Sequence, residues 1–184
     1  MKDSLPVRCL LGGLLAVTLP ACASAPPERT SAEHATLEAQ GPTSSLRIDF
    51  NPQTGVSSDS VRAPASIAWL AVPQAYARFG LGTTTHAAAR VITSQSNVRR
   101  MIGGVRLSRM LDCGSAAGSP RADNYTIALF VATRVDSVGP AATLLRTRVQ
   151  ATGHDISVSS HPVQCSSTGY LEREIANAVQ QFAK

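Results

Sequence analysis

The sequence predicts an α+β fold: a mostly antiparallel sheet with helices packed on one face and a helix at the C terminus. Three observations carry this. Two runs of alternating apolar and polar residues, Tyr125–Arg134 and Ala141–Ala151, flank a Gly139-Pro140 turn, the pattern of an antiparallel hairpin with one buried face. Two stretches with helical spacing begin after Pro64 and after Thr168. The strand signals also adjoin one another late in the chain instead of alternating with helices, which favours antiparallel over parallel pairing.

Taken in order, Leu46–Phe50 alternates and reads as a strand ended by Asn51-Pro52. Pro64 suits a first helical turn, and a helix to about Phe79 ends at Gly80 in the C′ position. Its expected apolar face is Ile67, Trp69, Leu70, Val72, Tyr76 and Phe79, and Pro73 inside it predicts a kink or a break. Ala89–Thr93 is a short strand, Val105–Asp112 a helical turn or two, and Gly114–Ala122 a loop. In the first hairpin strand Tyr125, Ile127, Leu129 and Val131 share one face and Phe130 takes the other. In the second, Leu145, Thr147 and Val149 point inward and Arg146, Arg148 and Gln150 outward. His154-Asp155 is expected in a turn. Ile156–Val158 and Val163–Cys165 are weaker strands. Thr168 is positioned to cap a last helix to Ala183, with Leu171, Ile175, Ala178 and Phe182 as its buried stripe. Glu172 and Glu174 fall near the positive end of that helix, one place late for a capping box. The order is β-α-β-α-β-β-β-α.

With 43% hydrophobic and 16% charged residues in 184, wholesale disorder is excluded. The N terminus has its own pattern. Lys2 and Arg8 precede an apolar stretch, Cys9–Leu19, broken by Gly12 and Gly13. A membrane-spanning helix needs about 20 residues, so this stretch is too short and matches the apolar region of a signal peptide. It leads into Leu19-Pro20-Ala21-Cys22, which resembles the lipobox of bacterial lipoproteins. The resemblance implies a signal peptide over residues 1–21, an acylated N-terminal Cys22, and, with Ala23 following it, a lipid anchor in the outer membrane facing the periplasm. The rival is cleavage after Ala23-Ser24-Ala25, which leaves a soluble periplasmic or secreted protein. Residues 22–45 contain Leu37 as their only large aliphatic and read as a flexible tether. Residues 46–184 form the expected single globular domain. The element layout loosely resembles small accessory lipoproteins of outer-membrane assembly, although no motif ties the domain to a characterised family.

Export leaves two thiols, Cys113 and Cys165, under either cleavage. An even remainder in an oxidising compartment predicts a disulfide. The bond would clamp the end of the middle helix to the start of the last one and stabilise by roughly 4 kcal/mol over a 52-residue span.

Catalytic patterns are lacking. The sequence has no HExxH, GxSxG or GxxxxGK[ST]. His86, His154, Asp155 and His161 would have to converge through the fold to hold a metal, so no metal or cofactor is expected. Charge is unevenly placed. Residues 60–111 hold seven arginines (Arg62, Arg78, Arg90, Arg99, Arg100, Arg106 and Arg109) and no acid, whereas residues 112–184 carry six charges of each sign. Arg99, Arg100, Arg106 and Arg109 are candidate contacts for anions. Against this, arginine makes up 14 of the 15 cations after residue 21, which is also what codon bias and a solvated face would give. The leading expectation is a non-enzymatic, lipid-anchored envelope protein with a structural or assembly-accessory role. Its alternative is a binding module for lipopolysaccharide, phospholipid or an acidic envelope partner. A hydrolase is the third reading, and nucleic acid is disfavoured by export.

Overall fold

The computed structural model of the chain describes residues 36–40, 45–50, 55–155 and 161–184. The expected signal peptide, the lipobox-like segment with Cys22 and the expected Ile156–Val158 strand lie outside them. The elements are β1 (Thr36–Gln40), β2 (Ser45–Asp49), β3 (Val56–Val61), α1 (Ala65–Arg78), β4 (Thr84–His86), β5 (Val91–Arg99), β6 (Met101–Ile102) and β7 (Val105–Arg106). They continue with α2 (Leu107–Met110), β8 (Leu111–Asp112), β9 (Ser115–Ala116), β10 (Ser119–Pro120), α3 (Arg121–Asn124), β11 (Thr126–Gly139), β12 (Ala142–His154), β13 (Val163–Ser167) and α4 (Tyr170–Phe182).

Among the described residues, seven strands form the main sheet, all paired antiparallel: β4-β5-β11-β12, then β3 and β13 along the far edge of β12, with β8 outside β13. The fold is α+β, with α4 closing the chain. The β11–β12 hairpin is its spine. Inward residues Ile127, Leu129, Val131, Leu145, Thr147 and Val149 are buried, in the alternation that their sequence shows. Helices α1 and α4 cover this face. On the opposite face Ile48 and Phe50 pack with Val91 and Ala132, and Arg148 Nη1 donates to the Asp49 carbonyl. Strand β1, inside the expected tether, pairs with β2.

Helix α1 keeps its expected limits, with Pro64 as N-cap and Gly80 at φ +69° beyond its end. Two expectations about it are corrected. Of the kink or break expected at Pro73, the break does not occur: the helix runs unbroken through it. An interior proline costs about 3 kcal/mol, offset here because buried residues on both sides of it dock on the sheet. Its buried face is also mostly alanine: Ala68, Ala71 and Ala75 join Val72 and Tyr76, while Ile67 is 44% and Leu70 64% exposed. Leu70 lies about 200° around the helix from Ala68 at 100° per residue, so apolarity alone misassigned it. Small side chains let the helix approach the sheet and α4 closely.

Other corrections follow from pairing. Strand β5 extends to Arg99, through Ser94, Gln95, Ser96 and Asn97, because β11 offers it a partner at every position from Val91. Strand β12 reaches His154, so His154 ends a strand and does not sit in a turn. The Gly114–Ala122 loop contains the β9–β10 ladder and the start of α3, and the Val105–Asp112 helix shortens to one turn between β7 and β8. In α4, Val179 takes the place expected of Phe182, which is 44% exposed.

A polar seam crosses the core. Thr133 and Thr147 are direct cross-strand partners and their hydroxyls meet at 2.9 Å. The Tyr76 hydroxyl reaches Thr133 Oγ1 at 2.9 Å, and all three are fully buried. Thr143 Oγ1 donates to the Ala63 carbonyl at 2.7 Å, tying the approach to α1 onto β12. Burial pushes the Tyr76 phenol well above its usual range, and the Thr133 bond opposes this only in part. A folded pKa above the unfolded value of about 10 means that Tyr76 contributes stability below pH 10 that is lost as pH rises beyond it. Tyr76→Phe should therefore cost about 1 kcal/mol at neutral pH. In alkaline titration at a phenolate wavelength, the late signal that coincides with unfolding should shrink by one tyrosine. An unchanged late step in the variant would contradict the assignment.

Candidate functional site

The expected disulfide is present. Cys113 and Cys165 are bonded, with Cα atoms 4.2 Å apart. The bond is not the helix-to-helix clamp that their sequence positions suggested. Ser166 pairs with Asp112 and Ser167 with Leu111, so continuing the register sets Cys165 opposite Cys113. Directly opposed residues of a non-hydrogen-bonded antiparallel pair approach to about 4.5 Å, which fits a Cα spacing just below the usual disulfide range of about 4.4–6.8 Å. Cys165 therefore lies in the middle of β13 and not at its edge. Gly153 on the neighbouring β12 leaves room for side chains of β11 and its approach: a Cβ there would stand 3.0 Å from Tyr125 Cδ2 and 3.2 Å from Ile127 Cδ1.

The bond sits where the sheet edge changes. Strand β3 pairs with β12 from Thr143 to Arg148, and β13 pairs with it from Ala151 to Gly153. After Cys165, β13 leaves β12 and pairs with β8. The sheet forks there. The fork opens a cleft of about 660 Å³ whose described walls are Gly55–Ser57 on one side and Gln164–Gly169 on the other, with Arg148–Thr152 between.

The start of α4 is built into the same corner. The expected cap, Thr168, is displaced by one place: Gly169 is the N-cap, at φ +76°. The Thr168 hydroxyl still accepts a long hydrogen bond from the Tyr170 amide at 3.4 Å, while it donates to the Arg109 carbonyl at 2.8 Å and the Thr168 amide donates to the Met110 carbonyl at 2.9 Å. With Gly169 as N-cap, Glu172 becomes the third helical residue. Ser167 Oγ accepts from the Gly169 amide at 3.1 Å and donates to Glu172 Oε1 at 2.6 Å. This is a capping box relayed through a serine hydroxyl. The sequence signal was the Ser167-x-Gly169-x-x-Glu172 spacing, hidden because Thr168 is the better cap by residue type.

The four candidate arginines separate. Arg100 and Arg106 line one depression of about 310 Å³ with Met101, Asp123 and Asn124. The β6–β7 hairpin carries them there, turning through Gly103 and Gly104 at φ +54° and +79°. A Cβ on Gly103 would meet Phe79 Cδ1 at 2.8 Å. Arg106 is 80% exposed and 4.0 Å from Asp123, whose carboxylate is held by the Ser108 amide and hydroxyl at 2.9 and 2.8 Å. Arg109 is not in this group. Its guanidinium lies 4.6 Å from the centroid of the Tyr170 ring. Arg99 is exposed at the end of β5, opposite Thr126 on the face away from the helices. Among the described residues, no group of three or more His, Cys, Asp or Glu is placed to hold a metal ion, so His86, His154, Asp155 and His161 are not brought together.

No protein-family model matches this sequence, and no curated protein matches it.

Replacing both Cys113 and Cys165 by serine should lower stability by about 2–4 kcal/mol. The midpoint temperature should fall by about 2–8 °C for each kcal/mol lost. Calorimetry on the oxidised parent and the double variant measures it, and equal midpoints would show that the bond does not stabilise the fold.

Proposed function

We propose that the chain is a lipid-anchored cell-envelope protein, attached through Cys22 at the outer membrane and facing the periplasm, with a non-enzymatic structural or assembly-accessory role. The observation that carries this reading is the Cys113–Cys165 bond. Such bonds persist in oxidising compartments, and the bond accounts for both thiols that remain once the signal region and Cys22 are set aside. Ile67 and Leu70, turned outward on α1, supply apolar surface suited to a protein partner. Mass spectrometry of the mature N terminus tests the anchor. A diacylated or triacylated Cys22 is the expected result. An unmodified chain beginning at Pro26 would refute it and leave the soluble periplasmic or secreted form.

A second reading, binding of an anionic envelope ligand, is favoured by one observation: Arg100 and Arg106 share a depression. In this reading the exposed guanidinium groups hold phosphate or carboxylate oxygens, and Asp123 sets the orientation of Arg106. The anchor-free Cys22→Ser protein should then be retained on phosphatidylglycerol vesicles at low salt and released as the Debye length shortens towards about 8 Å at 0.15 M. Arg100→Gln/Arg106→Gln should lose most of that retention, whereas Arg109→Gln should lose little. Equal retention of parent and double variant would return these arginines to an ordinary solvated surface.

A further inference from the structure

We infer that the open edge of β5 is a self-association surface: two copies of this chain pair through Gln95–Arg99 in antiparallel register and join their sheets into one. Strand β5 has β11 along one side from Val91 to Arg99, but β4 covers its other side only at Val91–Thr93. Among the described residues, no backbone pairs with Ser94–Arg99 on that side. A strand edge presents unpaired N–H and C=O groups, and the chemistry that satisfies them is another extended backbone. Edges are ordinarily guarded by short length, proline, a bulge or an inward-pointing charge. The other described edges follow that rule. Strands β4 and β8 have three and two residues, and β3 carries Asp59 opposite the buried Leu145, hence on the helix face. Strand β5 has no such guard from Ser94 to Val98: these residues are neutral, none is proline, and their register with β11 is unbroken.

The residues along the edge decide what covers it. Two identical strands that pair antiparallel are related by a two-fold axis, and directly opposed residues share a face. The axis therefore passes through a residue and not between two. At Ser96 it would set Arg99 against Thr93 of the second copy, where Thr84 is already paired. At Val98 the ladder would run into Arg100, which leaves the strand at φ +61°. At Asn97 neither happens, and the whole of Gln95–Arg99 pairs. Gln95 then faces Arg99 of the second copy at both ends of the ladder, an amide carbonyl against a guanidinium, and the two Asn97 amides meet on the axis. Gln95, Asn97 and Arg99 are all exposed in the free chain, so these contacts displace no packing. No two arginines stand opposite each other. The edge is complementary to itself, and the lipid anchor plays no part in the inference.

Sedimentation velocity on the oxidised, anchor-free Cys22→Ser protein tests this. A ladder this short is a small interface, so runs from about 1 μM to about 500 μM bracket the expected Kd, on the order of 10–100 μM. The expected result is a passage from monomer to dimer mass across that range. Asn97→Lys, at an exposed position, sets two cations opposite each other on the axis and should raise the Kd about fivefold or more, with the melting temperature unchanged. Crosslinking reads the register. Asn97→Cys should give a disulfide-linked dimer on mild oxidation, because directly opposed Cα atoms stand about 4.5–5.5 Å apart, within disulfide reach. Gln95→Cys should not, since its counterpart lies about 13 Å along the strands, whereas Gln95→Cys/Arg99→Cys should. A chain that stays monomeric throughout would overturn the proposal and leave the edge to a strand from another protein. A dimer that Asn97→Lys leaves intact, or in which Gln95→Cys crosslinks as readily as Asn97→Cys, would overturn it by placing the contact elsewhere.

Discussion

The cross-strand bond between Cys113 and Cys165 is the constraint on which the irregular half of this domain depends. Only two residue pairs join β8 to β13, and a ladder that short has little stability of its own. The covalent link joins the two strands next to it, at Cys165, the last position at which β13 pairs with β12. Everything at that corner follows. Ser167 comes within reach of Glu172, Thr168 is set against the carbonyls of α2, and α4 begins from a left-handed glycine where a threonine cap was available.

The regular half rests on a different principle. The β11–β12 hairpin pairs from Thr126 with His154 to Gly139 with Ala142, and its inward side chains are almost all apolar. The exceptions, Thr133, Thr147 and Thr143, are satisfied by one another, by Tyr76 and by the Ala63 carbonyl. A buried seam of this kind fixes the register, because a slip by one residue would send every threonine to the other face and leave the Tyr76 hydroxyl without a partner. The opposite face shows the same economy with charges. Asp136 accepts from Arg134 Nε at 2.8 Å and faces Arg146 Nε at 3.5 Å, so two like charges on paired positions are bridged by one acid.

How much of this was legible in the sequence varied with the range of the interaction. Period-two alternation in Tyr125–Arg134 and Ala141–Ala151 identified the spine because one face of each strand is buried. Pro64 and Gly80 bounded α1 through local backbone preferences. The even number of thiols outside the expected signal region and Cys22 identified the disulfide. The remainder depended on neighbours. Ala68, Ala71 and Ala75 carry little hydropathy, so the buried face of α1 was not visible until the closeness of α4 and the sheet was known. Ser94–Asn97 does not read as strand and is one only because β11 lies beside it. The fork was hidden because it arises from β13 changing partners mid-strand. The candidate arginines were legible as a charge asymmetry, but which of them meet was not: Arg109 is claimed by Tyr170, and only the β6–β7 turn brings Arg100 to Arg106.

If the crosslink is what holds the fork, breaking it should act locally before it acts globally. Amide hydrogen exchange on the oxidised and the reduced protein, under conditions where both remain folded, measures this directly. The account predicts faster exchange on reduction at Leu111–Asp112, across Ser166–Ser167 and in the first turn of α4, with β11 and the β3-paired part of β12 unchanged. Exchange that is the same in both states at those positions, or that rises equally throughout the sheet, would contradict it.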